Sequence, residues 1–178
     1  MLLSTNFLKD YIDLDDNISV HDLAESMTKV GNEYDSASNF INATNLVIGK
    51  VLECEMHPDS DHLHVCKVDV GDETLKIVCG APNVRKDLKV IVALPGAKLP
   101  EKEIKKVAIR GVESNGMLCS IAELGLDSKF LKEEDKLGIS ELGQDAKVGE
   151  DPIKYLGFDD GVIDFELTAN RGDLLSIL

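Results

Sequence analysis

Between His57 and Leu126 the chain alternates strand-like runs with turn chemistry, and that block limits the fold more than any other stretch. It opens with His57-Pro58-Asp59-Ser60-Asp61, where Pro fixes φ and the Asp and Ser side chains can bond back to nearby amides. A run from His62 to Val70 follows, then Val78-Cys79-Gly80-Ala81-Pro82-Asn83, then Arg110-Gly111-Val112-Glu113-Ser114-Asn115-Gly116-Met117-Leu118-Cys119-Ser120. Turns rich in Gly, Pro and Asn join three strand-like runs, and a short capped helix closes the block.

The strand pattern extends on both sides. Leu46, Val47, Ile48, Val51 and Leu52 form one apolar run. Leu63 and Val65 alternate, then Cys66, Val68 and Val70 alternate in the opposite phase, which predicts a bulge near Cys66 or Lys67. Gly71-Asp72-Glu73 turns the chain into a strand over Leu75 to Cys79. Lys89 to Leu94 is another strand, and Pro95-Gly96 a turn. Leu99 to Arg110 reads as a hairpin arm carrying Ile104, Val107 and Ile109. Ser120 and Glu123 form a capping box, with Gly125 at the end of a short helix. Lys136 to Leu142 supplies a last strand. Five or six short strands and one small helix within about 110 residues predict an OB-type Greek-key β-barrel.

The flanks read differently. Ser4 caps a predicted helix carrying Phe7, Leu8, Tyr11 and Ile12. Ser19 and Asp22 cap a second, with Leu23, Met27 and Val30 on one face and Gly31 at its end. After Asp151 come Ile153, Tyr155, Leu156 and Phe158, a strand over Val162 to Leu167, a polar turn over Thr168 to Asp173, and the start of an apolar helix. The fold class expected is therefore α+β. Exposed Ile and Leu at the last residues predict a fragment of a longer polypeptide.

Net charge is −14, which taken whole repels polyanions. Residues 76–110 depart from it. Lys76, Arg85, Lys86, Lys89, Lys98, Lys102, Lys105, Lys106 and Arg110 face Asp87, Glu101 and Glu103, nine cations against three anions for a balance of +6. A Debye length of about 8 Å at physiological salt lets such a patch act locally. The candidate contacts for a polyanion are Arg85, Lys86, Lys98, Lys105, Lys106 and Arg110, with Asn83 presented at the barrel mouth and Ser114 placed to reach a ribose or phosphate. A solvated face of mixed charge gives the same pattern, and lysines along an edge also guard against aggregation. Aromatics make up 4% of the chain, so stacking is not the expected mode.

Other chemistries find less support. Cys54, Cys66, Cys79 and Cys119 form no C-x-x-C pair and sit in apolar or strand-like contexts, which predicts buried free thiols and a reducing compartment. His57, His62 and His64 with Asp59 and Asp61 lack a second ligand cluster, so turn capping is preferred to a metal, and no metal or cofactor is assigned. Gly80-Ala81-Pro82-Asn83 lacks the spacing of a phosphate loop. No apolar run is long enough to span a bilayer and no basic n-region precedes an apolar core, so no membrane contact is expected and the expected location is cytoplasmic.

Together these words resemble a known family. The opening Leu3-Ser4-Thr5-Asn6-Phe7-Leu8-Lys9-Asp10-Tyr11 and the central motifs are similar to the N-terminal region of the bacterial phenylalanyl-tRNA synthetase β subunit, including its OB-fold tRNA-binding module. The run Leu167 to Ser176 resembles that family's T-P-N-R-x-D-x-L-S, with Ala169 in place of Pro. His62 stands where the module usually carries Arg or Lys. The resemblance implies a barrel over residues 40–148 inserted between flanks 1–39 and 149–178, which form one small α/β domain. It implies weak contact with the tRNA backbone and no catalysis by this region. Aminoacylation belongs to the α subunit, reached through the rest of the β subunit, and ATP and magnesium belong to the assembled enzyme. A protein-interaction module serving subunit assembly, with negligible RNA contact, is the alternative that the acidic balance favours.

Overall fold

The structure is a computed structural model that describes residues 1–15, 17–126, 131 and 138–166. The chain divides into two compact units, one of Met1–Phe40 with the segment beginning at Gly157, the other Ile41–Leu156.

The first unit is built on caps. Strand β1 (Leu2–Ser4) runs into helix α1 (Thr5–Lys9), where Ser4 Oγ accepts from the Phe7 amide at 3.0 Å. Helix α2 (Val20–Lys29) starts the same way, with Ser19 Oγ accepting from the Asp22 amide at 3.0 Å. Strand β2 (Tyr34–Asn39) follows. The strand Gly161–Phe165, β11 in chain order, lies between β1 and β2 in an antiparallel sheet. Leu3, Leu8, Leu23, Ala24, Ile163 and Phe165 form its core. Asp160 fastens the start of α1. Its carboxylate accepts from Ser4 Oγ at 2.5 Å, Thr5 Oγ1 at 3.0 Å and the Asn6 amide at 2.9 Å.

Two expectations for this unit need correction. The first helix stops at Lys9, so of its supposed apolar face only Leu8 is buried, while Phe7, Tyr11 and Ile12 are exposed. Strands β1 and β2 border the helices where helices alone were expected. β2 reads Tyr-Asp-Ser-Ala-Ser-Asn, with almost no apolar signal, and exists because β11 pairs with it.

The second unit is a curled antiparallel sheet. Its strands are β3 (Leu46–Met56), β4 (His64–Asp69), β5 (Thr74–Cys79), β6 (Lys89–Ala93), β9 (Met117–Cys119) and β10 (Glu141–Leu142). β6, β3, β4 and β5 lie side by side, and β9 and β10 share the outer edge of β6. At the far edge the Asn115 amide donates to the Lys76 carbonyl at 2.8 Å, and the Val78 amide donates to Ser114 Oγ at 3.0 Å. Residues 114–119 therefore touch both edges of the sheet, which is what curls it. Gly116 makes this approach possible: its φ is +137°, and a Cβ there would lie 2.7 Å from the Ala93 carbonyl oxygen. Inside the curl Val51, Cys66, Val68, Ile77, Val90 and Val92 are fully buried. Each large apolar side chain so buried is worth about 1.5–3 kcal/mol.

The phase slip seen in the sequence is real but lies on the opposite strand. Val51 pairs with Val68 and Glu53 with Lys67, so Leu52 is the extra residue, on β3, while β4 and β5 pair without interruption. The expected arm over Leu99 to Arg110 is also different. Only β7 (Val107–Ile109) is a strand, paired with β8 (Val112–Ser114) across Arg110 and Gly111. Both turn residues have positive φ, the geometry of a tight two-residue hairpin turn. Before it the chain is a loop closed by the Gly96 amide on the Ile104 carbonyl and the Ile104 amide on the Ala97 carbonyl, which tucks Leu99 and Ile104 into the interior. Ser120 and Glu123 make their capping box around a single 3-10 turn (Ala122–Leu124). A short helix, α3 (Pro152–Tyr155), capped by Asp151, ends the unit. The start of the last expected strand, the Thr168 to Asp173 turn and the apolar helix after it fall outside the described residues.

Candidate nucleic-acid interface

The candidate cations, with Asn83 beside them and Lys102 as a further lysine of the basic segment, sit in three places in the second unit. Asn83, Arg85 and Lys86 precede β6, beside β10. Lys98, Lys102, Lys105 and Lys106 lie on the loop between β6 and β7. Arg110 is in the β7–β8 turn. All of these cations are exposed. They differ in what already holds them.

Arg85 forms a two-pronged pair with Glu141, at 2.7 and 2.8 Å. That pair holds the Glu141 carboxyl below its usual range. Lys102 pairs with Glu123 at 3.0 Å and Lys105 with Glu103 at 3.5 Å. Lys89 is spent on the carbonyls of Gln144 and Ala146. Arg110 donates to the Asp59 carbonyl at 2.7 Å. Lys76, Lys86, Lys98 and Lys106 have no carboxylate partner among the described residues. Lys76 was counted in the basic segment but not among the contact candidates. It stands outward between buried Leu75 and Ile77, an alternation the sequence already carried.

Two candidates do structural work. Ser114 is 1% exposed, and its hydroxyl accepts from the Val78 amide and donates to the Gly116 carbonyl. In this geometry it cannot reach a ribose or phosphate. Asn83 gives its carboxamide to Ile139, donating to the carbonyl at 2.8 Å and accepting from the amide at 3.1 Å. That is the pairing a strand neighbour would make, so the side chain is already engaged.

His57 explains how Arg110 is placed. The ring is 3% exposed. Its Nδ1 accepts from the Asp59 amide at 3.1 Å, so Nε2 carries the hydrogen and donates to the Ile109 carbonyl at 3.2 Å. His57 and Arg110 thus tie the 57–61 loop to the β7–β8 hairpin from both sides. Asp61 lies in the same corner, its carboxyl pulled below the usual range by the His62 hydrogen bond and, more weakly, by Arg110. A cleft of about 420 Å³ opens nearby, lined by Val78, Ile104, Lys105, Val107, Ser114 and Met117 among others, with Glu103 and Glu123 also in its wall. Its walls are mostly apolar and its charges mixed, which does not suit a phosphate.

Among the described residues the remaining groups form no catalytic constellation. Cys66, Cys79 and Cys119 are buried and Cys54 is half-buried. Burial pushes the Cys66 and Cys79 thiols up, and the Cys119 thiol up to about 12, so none of these three is a ready nucleophile. Among the described residues no group of three or more His, Cys, Asp or Glu is placed to hold a metal ion, and no helix is long and apolar enough to cross a membrane.

Residues 46–151 match the family model described as "Putative tRNA binding domain". The chain belongs to that family. Every candidate contact named above falls inside the matched span. Over 99% of its length the chain is 49% identical to the phenylalanine–tRNA ligase beta subunit of Lactiplantibacillus plantarum, and covers 22% of that protein. It is 47% identical over its whole length to the corresponding subunit of Oceanobacillus iheyensis, again covering 22%. The similarity is to the N-terminal part of these relatives. A solved structure of a MetRS-related protein from Pyrococcus horikoshii is 23% identical, with 58% of this chain and 84% of that chain covered and a TM-score of 0.43.

Proposed function

We propose that this chain is the N-terminal, non-catalytic region of a phenylalanine–tRNA ligase β subunit, and that its second unit touches tRNA through the phosphate backbone. The family match over residues 46–151 carries the reading, and identity near one half along the whole chain supports it. In this reading the curled sheet is an OB-type Greek-key barrel over residues 40–148, inserted between flanks 1–39 and 149–178 of a small α/β domain. The contacts are weak and electrostatic. Lys86, Lys98 and Lys106 make them first, because no carboxylate has to be displaced. Arg85 and Lys105 contribute when RNA competes with Glu141 and Glu103. Arg110 presents a positive charge from a fixed hairpin. The α subunit is the catalytic partner, the enzyme is cytoplasmic, and ATP and magnesium serve the assembled enzyme. The described residues offer no ligand set for the metal, and no step of this chain's action runs through either.

The test is tRNA binding by the assembled enzyme, wild type against a K86E/K98E/K106E variant, from low to physiological salt. The variant should bind at least about tenfold more weakly at low salt, and wild-type binding should fall steeply as salt rises. Equal binding by the two would overturn the reading. The three carboxylate-paired cations favour a second one, a scaffold for subunit assembly. Unchanged tRNA affinity with impaired association of the subunits would support it.

A further inference from the structure

We propose that Cys54 and Cys66 are a peroxide-responsive dithiol that closes into a cross-strand disulfide between β3 and β4. The register places the two residues directly opposite each other. The His57 amide donates to the Leu63 carbonyl, which marks 57 and 63 as a hydrogen-bonded pair. Alternation along the antiparallel ladder then makes 54 and 66 a pair without hydrogen bonds between them. Cα atoms in such pairs lie about 4.5 Å apart, inside the range of about 4.4–6.8 Å that a disulfide spans. The sulfurs are already 3.8 Å apart, with the Cys66 thiol directed at Cys54 Sγ. Leu52, the unpaired residue of the bulge, lies two positions from Cys54 and leaves β3 room to adjust.

The two thiols have different parts. Cys54 is half-buried and Cys66 fully buried, so an oxidant from solvent meets Cys54 first. Hydrogen peroxide transfers one oxygen to the Cys54 sulfur, giving a sulfenic acid and releasing water. The Cys66 thiol, too weakly acidic to serve a diffusing substrate but held 3.8 Å from Cys54 by the register, then attacks the Cys54 sulfur and gives up its proton in the same step. The S–S bond forms, the S–O bond breaks, and hydroxide leaves with the Cys66 proton as a second water. Each thiol loses one hydrogen and the peroxide is reduced to two waters. A thiol reductant reverses the bridge. Cys79 is a built-in control, since it faces His64 and is therefore diagonal to Cys66. Diagonal neighbours sit about 7–8 Å apart, beyond the bridging limit of about 7 Å.

The test exposes the intact, folded protein to stoichiometric hydrogen peroxide, blocks free thiols, and maps peptides by mass spectrometry. The expected product is one cross-linked peptide pair joining Cys54 to Cys66, about two mass units below the sum of its parts and released by dithiothreitol. It should persist in C79S and C119S and vanish in C54S and C66A. C54S, at the more exposed site, guards against the case in which C66A does not fold. Oxidation of Cys54 to a sulfinic acid without the cross-link, or a bridge to Cys79, would overturn the proposal. So would two thiols that still take the blocking reagent after the exposed Met56 has been oxidised.

Discussion

The two units build sheets from opposite kinds of connection. In the second unit β3, β4 and β5 are neighbours in sequence as well as in space, joined by short turns, and the register follows from the turns. In the first, the central strand β11 enters about 120 residues after β2 has ended. Closing a loop of that length costs about 3 kcal/mol more than closing a hairpin of a few residues, by the logarithmic law for flexible chains. Among the described residues the first unit also has the smaller core cluster, six buried apolar residues against thirteen in the second unit's main cluster. A folded second unit removes most of that loop's freedom in advance. The order of stability should therefore run from the second unit to the first.

The largest effect expected from breaking this order is in the second core. Ile77→Ala should cost about 2–5 kcal/mol, and hydrogen exchange followed by mass spectrometry should show protection lost in both units. Ile163→Ala, at an equally buried position in the first unit, should expose β1, β2 and β11 while β3 to β6 stay protected. Loss of protection in β3 to β6 as well would mean the first unit supports the second, against the ordering.

A smaller change separates the units by pH. Burial alone would raise the Asp160 carboxyl. The hydrogen bonds from Ser4, Asn6, Thr5 and Gly161 outweigh it and leave the group below its usual range. A carboxylate depressed by folding adds stability above its unfolded value, and that contribution fades as pH falls through the folded one. Protection factors in the first unit, referred to the intrinsic exchange rate at each pH, should thus fall on acidification below about pH 4. Asp160→Ala should cost that unit about 1–2 kcal/mol at neutral pH, with a flatter acid limb. An acid response unchanged by the substitution would remove Asp160 as its cause.

The smallest effect belongs to the rim of the second unit. Glu141→Gln breaks the exposed pair with Arg85 and should cost under about 1 kcal/mol in thermal denaturation. The same change frees Arg85, so low-salt tRNA binding should tighten severalfold. Weaker binding would show that Arg85 acts only as Glu141 holds it.

Legibility in the sequence followed the same division. Ser4, Ser19 and the Ser120–Glu123 box announced their helix starts, because capping needs only residues three apart. The β4–β5 hairpin could be read from its turn and alternation. β2 could not, since Tyr34 to Asn39 becomes a strand only by pairing with a segment far along the chain. The bulge was sensed on β4, yet β3 carries it, since one strand's pattern records a slip without saying which side holds the extra residue. Ser114 looked like a surface contact because it stands among Gly and Asn. Its burial depends on Val78 meeting it across the sheet, 36 residues away. The local excess of charge is legible in the sequence, but two of its cations find their anions outside the segment: Glu141 is 56 residues from Arg85, and Glu123 is 21 from Lys102.

Those pairs alter what an ionic-strength titration can count. A phosphate arriving at a bare lysine sheds condensed cations into the bulk, and the logarithmic slope records them. One that evicts Glu103 from Lys105, or Glu141 from Arg85, only trades one anion for another, and the evicted carboxylate must recruit a cation of its own. The proposed interface carries internal counterions, so the footprint inferred from such a slope should be smaller than the one the proposal assigns to RNA.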